Sequence, residues 1–172
     1  LLPLGIIQNT GSTEATLAAR HFGNTRARLN RDAIYVIASP PKTLPDGFPA
    51  FCGYHSWIDG KKLGQLAYIN LPYVPNLAPD ACTLTANPGP LDGYTVTASH
   101  EYAETVTDFV FDSPAIGDGG WWSGSGNAIE EIGDLCSDAV NDDLDGPITL
   151  DTGTFTVQGL FSNAAGSCAL SG

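Results

Sequence analysis

Four cysteines constrain the fold of this chain more than any other feature, because they can be joined in only three ways. Cys52 and Cys82 lie in the first half of the sequence, and Cys136 and Cys168 lie in the second. Pairing each cysteine with its neighbour is the simplest choice, and it closes two loops of similar size. A four-cysteine zinc site is disfavoured because no C-x-x-C spacing occurs. We therefore expect two disulfides and an oxidising, extracellular setting.

The composition predicts a single folded domain over residues 1–172. Hydrophobic residues make up 42% of the chain, which is close to the globular average. Only 15% of residues are charged, whereas Gly and Pro fill 20 and 12 positions, so we expect short elements and many turns. No apolar run is long enough to span a bilayer. Residues 1–5 lack both Met and a basic region, so we expect a processed form.

The charge of the chain argues against several classes of partner. The net charge is −12, and phosphate binding needs clustered Lys and Arg, so we expect no nucleic-acid partner. Association with anionic membranes is disfavoured for the same reason. The simplest interpretation is a secreted, monomeric protein that its negative charge keeps soluble.

Hydrophobic periodicity predicts strands in the first half of the chain and a long helix in the second. The β-branched run at 33–38 is typical of a buried central strand, and 51–57 and 66–71 are further strand candidates. Strands followed by a helix favour an α+β fold with a mixed sheet. The other predicted segments are a helix at 12–22, a loop at 72–90, a helix at 94–108, a short helix at 127–136 and a hairpin at 148–160.

The helix at 94–108 carries an apolar stripe as well as the candidate metal ligands. Four of its side chains recur at intervals of four residues: Tyr94, Ala98, Tyr102 and Val106. His100 and Glu104 are also four apart, which separates them by about 6 Å of rise and about 40° of rotation. Two ligands of one metal ion need that geometry. Glu101 is rotated by about 100° from His100, which suits a general base beside the metal.

The spacing H-E-x-x-E resembles the zincin motif H-E-x-x-H, in which the embedded Glu activates a zinc-bound water. Glu104 replaces the second His, and a carboxylate oxygen is an accepted zinc ligand. We expect Glu131 to be the third ligand and Asp134 to orient a ligand, as in gluzincin peptidases. Glu130 remains an alternative, since a shift of one residue changes the face. Asp108 lies about 12 Å along the helix from His100, so it is a supporting residue rather than a ligand.

His55 and a pair of tryptophans are further site candidates. His55 is either a packed histidine or a catalytic group that stabilises the oxyanion or binds substrate. Trp121 and Trp122 lie among glycines, where one of them could line a substrate cleft. Residues 141–146 have the composition of a calcium loop but lack the spacing and the final Glu of an EF-hand.

Several segments in this order resemble a group of secreted proteins from actinobacteria and fungi that are distantly similar to the plant Exordium-like, phosphate-induced proteins. The block HEYAETVTD at 100–108 is the most specific part, and the resemblance covers about residues 33–170. The other segments are 34–37, 51–56, 120–121 and 131–136. The resemblance implies an extracellular protein with paired cysteines and a metal site at the helix, but it implies no reaction. Phe109 stands where the resemblance leads us to expect Pro.

We therefore predict a zincin-like, zinc-dependent peptidase that acts on a protein or peptide substrate. Zinc would be held by His100, Glu104 and Glu131, and Glu101 would accept a proton from water. The first rival is a non-catalytic module that binds cell-wall carbohydrate, with calcium or no metal in the cluster. The second is a metal-free glycosidase that uses Glu101 and Glu104 as acid and base.

Overall fold

The computed structural model describes most of the chain and has an α+β fold. The described residues are 7–24, 26–46, 52–60, 62–74, 82, 89–108, 120–125, 128–137 and 144–170. The helices are α1 (Gly11–His21), α2 (Ala27–Asn30) and α3 (Asp92–Thr107), and a 3-10 helix spans Asp134–Cys136. The strands are β1 (Ile7–Asn9), β2 (Ile34–Ala38), β3 (Thr43–Pro45), β4 (Tyr54–Gly60), β5 (Gly64–Leu71), β6 (Trp122–Ser125), β7 (Ala128–Glu131), β8 (Asp145–Leu150), β9 (Gly153–Gln158), β10 (Leu160–Ser162) and β11 (Ser167–Ala169).

A mixed three-stranded sheet with the strand order β2-β5-β4 lies at the centre of the fold. β5 is parallel to β2 and antiparallel to β4. All side chains of β5 from Leu66 to Leu71 are buried, as expected for a strand that is covered on both faces. The prediction that 33–38 is the central strand is wrong. β2 lies at one edge of the described sheet and Val36 is 52% exposed, because β5 occupies the middle position.

Helix α1 covers one face of this sheet. Ala15 and Ala19 of α1 are fully buried against Tyr35 of β2 and against Leu66 and Tyr68 of β5. The small alanine side chains allow the helix to approach the strands closely, and they leave the volume of this core to Leu66 and the two tyrosines. This cluster is the main apolar core among the described residues.

Helix α3 covers the opposite face of the sheet. Side chains alternate along a strand, so Ile69 and Leu71 point away from the face that carries Leu66. His55 of β4 is paired with Ile69 and therefore shares its face. α3 packs on β4, β5 and β9, and a Cβ at Gly53 would lie 2.7 Å from Thr97 of α3. The sheet thus holds His55 against the helix that carries His100.

Both disulfides join neighbouring cysteines, as predicted. Cys52–Cys82 lies just before β4, and Cys136–Cys168 joins the 3-10 helix to β11. Sequence separations of 30 and 32 close loops of nearly equal length. Such loops stabilise a fold by about 3–4 kcal/mol each in the chain-entropy account. Among the helices that the structure describes, none is long and apolar enough to cross a bilayer.

Several sequence-based boundaries are confirmed and one element is wrong. The helix at 12–22, the helix at 94–108 and the hairpin at 148–160 correspond to α1, α3 and the antiparallel pair of β8 and β9. The predicted helix at 127–136 is instead strand β7 followed by the 3-10 helix, because β7 pairs with β6. Most of the loop at 72–90, residue 109 and residues 141–143 lie outside the described residues.

Replacing a core leucine should be much more costly than replacing an exposed one. We expect Leu66→Ala to lower the free energy of unfolding by about 2–5 kcal/mol, because Leu66 is fully buried between α1 and the sheet. The control Leu17→Ala makes the same change on the outer side of α1, and it should cost less than about 0.5 kcal/mol. Urea unfolding with both disulfides intact measures the two values; equal losses would contradict this description of the core.

Candidate metal centre

Helix α3 buries its two glutamates that face the sheet and exposes the C-terminal half of its apolar stripe. Glu101 and Glu104 are buried, whereas Tyr102 and Val106 are 56% and 60% exposed. This arrangement reverses the usual pattern of a surface helix, which turns its apolar face to the core. Burying carboxylates is costly unless cations or hydrogen-bond donors compensate them. The partners of these carboxylates therefore define the candidate site.

One group of potential ligands forms around His100. Its Nε2 lies 3.1 Å from Glu104 Oε2 and 3.5 Å from Asp134 Oδ1. Its Nδ1 donates a hydrogen bond to Gln158 Oε1 at 3.1 Å. The ligand atoms of His100, Glu104 and Asp134 all lie within 4.8 Å of one another. The side chain of Asp134 is 42% exposed, so this group lies on the solvent side of the cluster.

A second group forms around His55 and lies deeper in the protein. His55 Nδ1 donates to Glu101 Oε2 at 3.2 Å and lies 3.5 Å from Glu104 Oε2. His55 Nε2 lies 3.4 Å from Glu131 Oε1. These last two atoms are buried, and neither makes a hydrogen bond within the described part of the chain. The ligand atoms of His55, Glu104 and Glu131 again lie within 4.8 Å of one another.

The turn after β7 carries two acidic residues into the cluster, and Gly133 allows its close approach. A Cβ at Gly133 would lie 2.7 Å from His100 Nδ1 and 2.8 Å from Glu104 Oε1, which is too close for any side chain. The backbone N–H of Asp134 donates to Glu104 Oε1 at 3.1 Å, and that of Glu131 donates to Asp134 Oδ2 at 3.2 Å. The turn is thus hydrogen-bonded to the helix it approaches.

Gln158 is a site residue that the sequence analysis missed. It lies at the end of β9, where its Oε1 accepts the hydrogen bond from His100 and its Nε2 donates to Gly133 O at 2.6 Å. One buried amide therefore fixes both the ring of His100 and the turn beside it. The alternating pattern of the hairpin predicts a polar residue here, but no spacing relates position 158 to position 100.

Both histidines are surrounded by negative charge. Burial lowers the pKa of His55, but hydrogen bonds to Glu101 and Glu104 and the charge of Glu131 outweigh it and raise the pKa to about 10. Burial likewise lowers the pKa of His100, but its hydrogen bond to Glu104 and nearby carboxylates raise it to about 9. The protonated rings supply positive charge among the carboxylates, and a bound cation would take over that role.

The pKa values of two buried carboxylates in the cluster shift in opposite directions. Burial raises the pKa of Glu104, but hydrogen bonds from His100 and His55 lower it to about 2. Burial raises the pKa of Glu131 to about 8, because the repulsion from Glu104, Asp108 and Asp134 adds to it while the charge of His55 opposes it. Among the described residues, the positive charge of His55 does not offset these effects on Glu131.

The donor set fits a divalent metal ion on three grounds. Two atoms bound to tetrahedral zinc at about 2.0–2.1 Å lie about 3.3 Å apart, close to the separations of 3.1–3.5 Å found here. Each histidine directs Nδ1 to an oxygen acceptor, the arrangement that orients metal-bound histidines. The orphaned His55 Nε2 and Glu131 Oε1 would be satisfied by a cation. Histidine and carboxylate ligands suit zinc and other transition ions.

The structure brings the predicted site residues together but divides the predicted ligand set. His100 and Glu104 share a group with Asp134, whereas Glu131 shares one with His55 and Glu104. Glu131 sits at the end of strand β7 rather than on the predicted short helix. Glu101 belongs to neither group and contacts His55 instead.

Two further candidates lie beside the cluster rather than in it. Asp108 is buried just after α3, where its Oδ1 accepts a hydrogen bond from the backbone of Gly120 at 2.9 Å. The ring of Trp121 packs against Phe161, with the two centroids 5.9 Å apart, so it is partly engaged in packing. The side chain of Trp122 lies outside the described residues.

An apolar groove of about 560 Å³ runs along the exposed side of α3. Tyr102 and Val106 line one wall, and Val157 and Phe161 contribute to the other. Gln158 also lines the groove. Because Gln158 contacts His100 as well, it lies between the groove and the cluster. None of the described residues that line the groove is charged. Its volume is in the range of pockets that bind small molecules or short peptide segments.

Comparison of the chain with protein-family models, with curated proteins and with solved structures gave no match.

Removing the amide of Gln158 should weaken metal binding without unfolding the protein. Gln158→Leu keeps a similar volume but removes the acceptor for His100 and the donor for Gly133. We expect affinity for zinc, measured by calorimetric titration, to fall by about 10- to 100-fold. The control Gln65→Leu changes an exposed residue of β5 and should leave the affinity unchanged. Equal affinities in both variants would show that Gln158 does not orient a ligand.

Proposed function

We propose that this protein is a zinc-dependent peptidase whose active site is the cluster around Glu104. The observation that carries the proposal is the convergence of His100, Glu104 and Asp134 at ligand separations, with the ring of His100 held by Gln158. Buried carboxylates and oriented imidazoles of this kind are costly in a protein without a cation to bind. The two disulfides are compatible with the secreted, extracellular location that the sequence predicts.

The ligands assigned to the catalytic ion are His100, Glu104 and Asp134. His100 and Asp134 are the members of the cluster whose side chains solvent can reach, with exposures of 14% and 42%. A substrate must have access to a catalytic ion, whereas Glu131 lies in the enclosed group. Asp134 therefore replaces Glu131 as the third ligand of the proposed catalytic site.

Each protein residue has a defined task in the proposed hydrolysis. A zinc ion held by His100, Glu104 and Asp134 would supply Lewis acidity, which lowers the pKa of water and polarises a substrate carbonyl. Glu101 Oε2 is engaged by His55 Nδ1, so Oε1 is the oxygen left to accept the proton from the attacking water. Glu101 then donates that proton to the leaving amine. Gln158 keeps the ring of His100 from rotating.

The groove beside the cluster supports a protein or peptide substrate. It is uncharged and apolar, although the chain as a whole carries a net charge of −12. Apolar side chains of a peptide could bury against Tyr102 and Val106 in the groove. Gln158 also lines the groove and contacts His100, so a bound peptide would lie close to the cluster.

We further propose a distant, zincin-like relationship, since a helix with an H-E-x-x-E sequence lies under a mixed sheet beside the antiparallel strand β4.

Replacing the proposed base should abolish hydrolysis and leave the metal in place. We expect Glu101→Gln to lower kcat/KM on a casein or peptide-library substrate by about 100- to 10,000-fold, because the amide cannot accept a proton. The matched control is Glu130→Gln, since neighbouring residues of strand β7 point to opposite faces and Glu130 belongs to neither ligand group. Wild-type activity in Glu101→Gln would exclude this residue as the base.

Chelation separates the peptidase from its two rivals. Loss of peptide cleavage on metal removal and recovery on zinc addition are the expected results. Cleavage of a polysaccharide that persists in chelator would instead favour a glycosidase using carboxylates. Retention of calcium with no hydrolysis of either substrate would favour a non-catalytic module.

A further inference from the structure

We propose that the cluster holds two divalent ions, with the second ion bound by His55, Glu104 and Glu131 beneath the catalytic one. The inference deepens the proposed function and rests on it for the role of the outer ion. Glu104 belongs to both groups of ligands and would bridge the two ions.

The two histidines define two separate positions rather than one. Each group has its ligand atoms within 4.8 Å, but no such group in the described part of the chain contains both histidines. Glu104 Oε2 lies 3.1 Å from His100 Nε2, and a carboxylate oxygen of Glu104 also lies within 4.8 Å of the ligand atoms of His55 and Glu131. A bridging carboxylate in this position is typical of two-metal hydrolases, whose ions lie about 3.5–4 Å apart.

The atoms without hydrogen-bond partners lie in the inner group. His55 Nε2 and Glu131 Oε1 are 3.4 Å apart and buried, and each side chain is only 7% exposed. Buried polar atoms in proteins are nearly always satisfied. An ion bound by both atoms would satisfy them together. His55 Nδ1 already donates to Glu101 Oε2, and such a hydrogen bond to a carboxylate is what fixes the ring of a metal-bound histidine.

The balance of charge also favours two ions. Four acidic side chains surround the two histidines. Beside neutral imidazoles, one divalent ion leaves two of their negative charges uncompensated, whereas two ions compensate all four. Three of these acids belong to residues that are at least nine-tenths buried, which makes uncompensated charge costly. The four are Glu101, Glu104, Glu131 and Asp134.

The test is the number of zinc ions that remain bound to each chain. The metal-free protein is loaded with zinc chloride, dialysed and examined by elemental analysis. We expect two ions in the wild type, one in Asp134→Asn and one in Glu131→Gln, because each variant removes an unshared ligand. The control Glu130→Gln should retain two. Circular dichroism of each variant establishes that it is folded.

A wild-type value of one zinc, or complete loss of zinc in both single variants, would overturn the two-ion site.

Cobalt loading tests whether the ions are adjacent, since two bridged cobalt ions couple magnetically. Two uncoupled ions would also overturn the two-ion site. Peptidase activity is measured separately. Two bound ions without hydrolysis would refute the proposed peptidase function but support the two-ion site. Hydrolysis with one bound ion would support the peptidase function but refute the two-ion site.

Discussion

The burial of carboxylates beneath helix α3 is the constraint on which the other features of the site depend. Glu101, Glu104 and Glu131 are removed from water on the side of the helix that faces strand β4 and the turn after β7. Two histidines cannot neutralise this charge, so they bind protons strongly and Glu131 tends to remain protonated. Three features hold these acids together. They are the close approach at Gly133, the amide of Gln158 and the position of His55.

The same constraint explains why α3 exposes Tyr102 and Val106. A helix with carboxylates towards the sheet must turn another face outward, and this face carries Tyr102 and Val106. The exposed stripe is costly for a helix that only needs to be stable. It becomes useful when it lines a groove next to Gln158, because an apolar substrate segment could then cover it. Helix α3 thus gives up stability by exposing apolar side chains. In return, it presents a charged cluster towards the sheet and an apolar binding surface towards the groove.

The sequence predicted features that depend on nearby residues, and it failed for those that depend on long-range packing. The spacing of His100 and Glu104 was sufficient to place both on one helical face, and the cysteine positions favoured the observed pairing. The apolar run of β2 suggested a central strand, but only the order of the sheet determines that β5 takes that place. The analogy with gluzincin peptidases favours a short helix at 127–136, whereas pairing with β6 makes residues 128–131 a strand and only 134–136 form a 3-10 helix.

The positions of the two disulfides clarify how such a cluster can be held in a small domain. Cys52 precedes His55 by three residues, and Cys136 follows Asp134 by two, so each covalent link lies next to a residue that faces the acidic cluster. Mutual repulsion among buried carboxylates would otherwise drive the turn after β7 away from the helix. A covalent link cannot remove that repulsion, but it limits how far the segments can separate. The cluster is therefore preorganised by links outside it and completed by the charge of the ions it is proposed to bind.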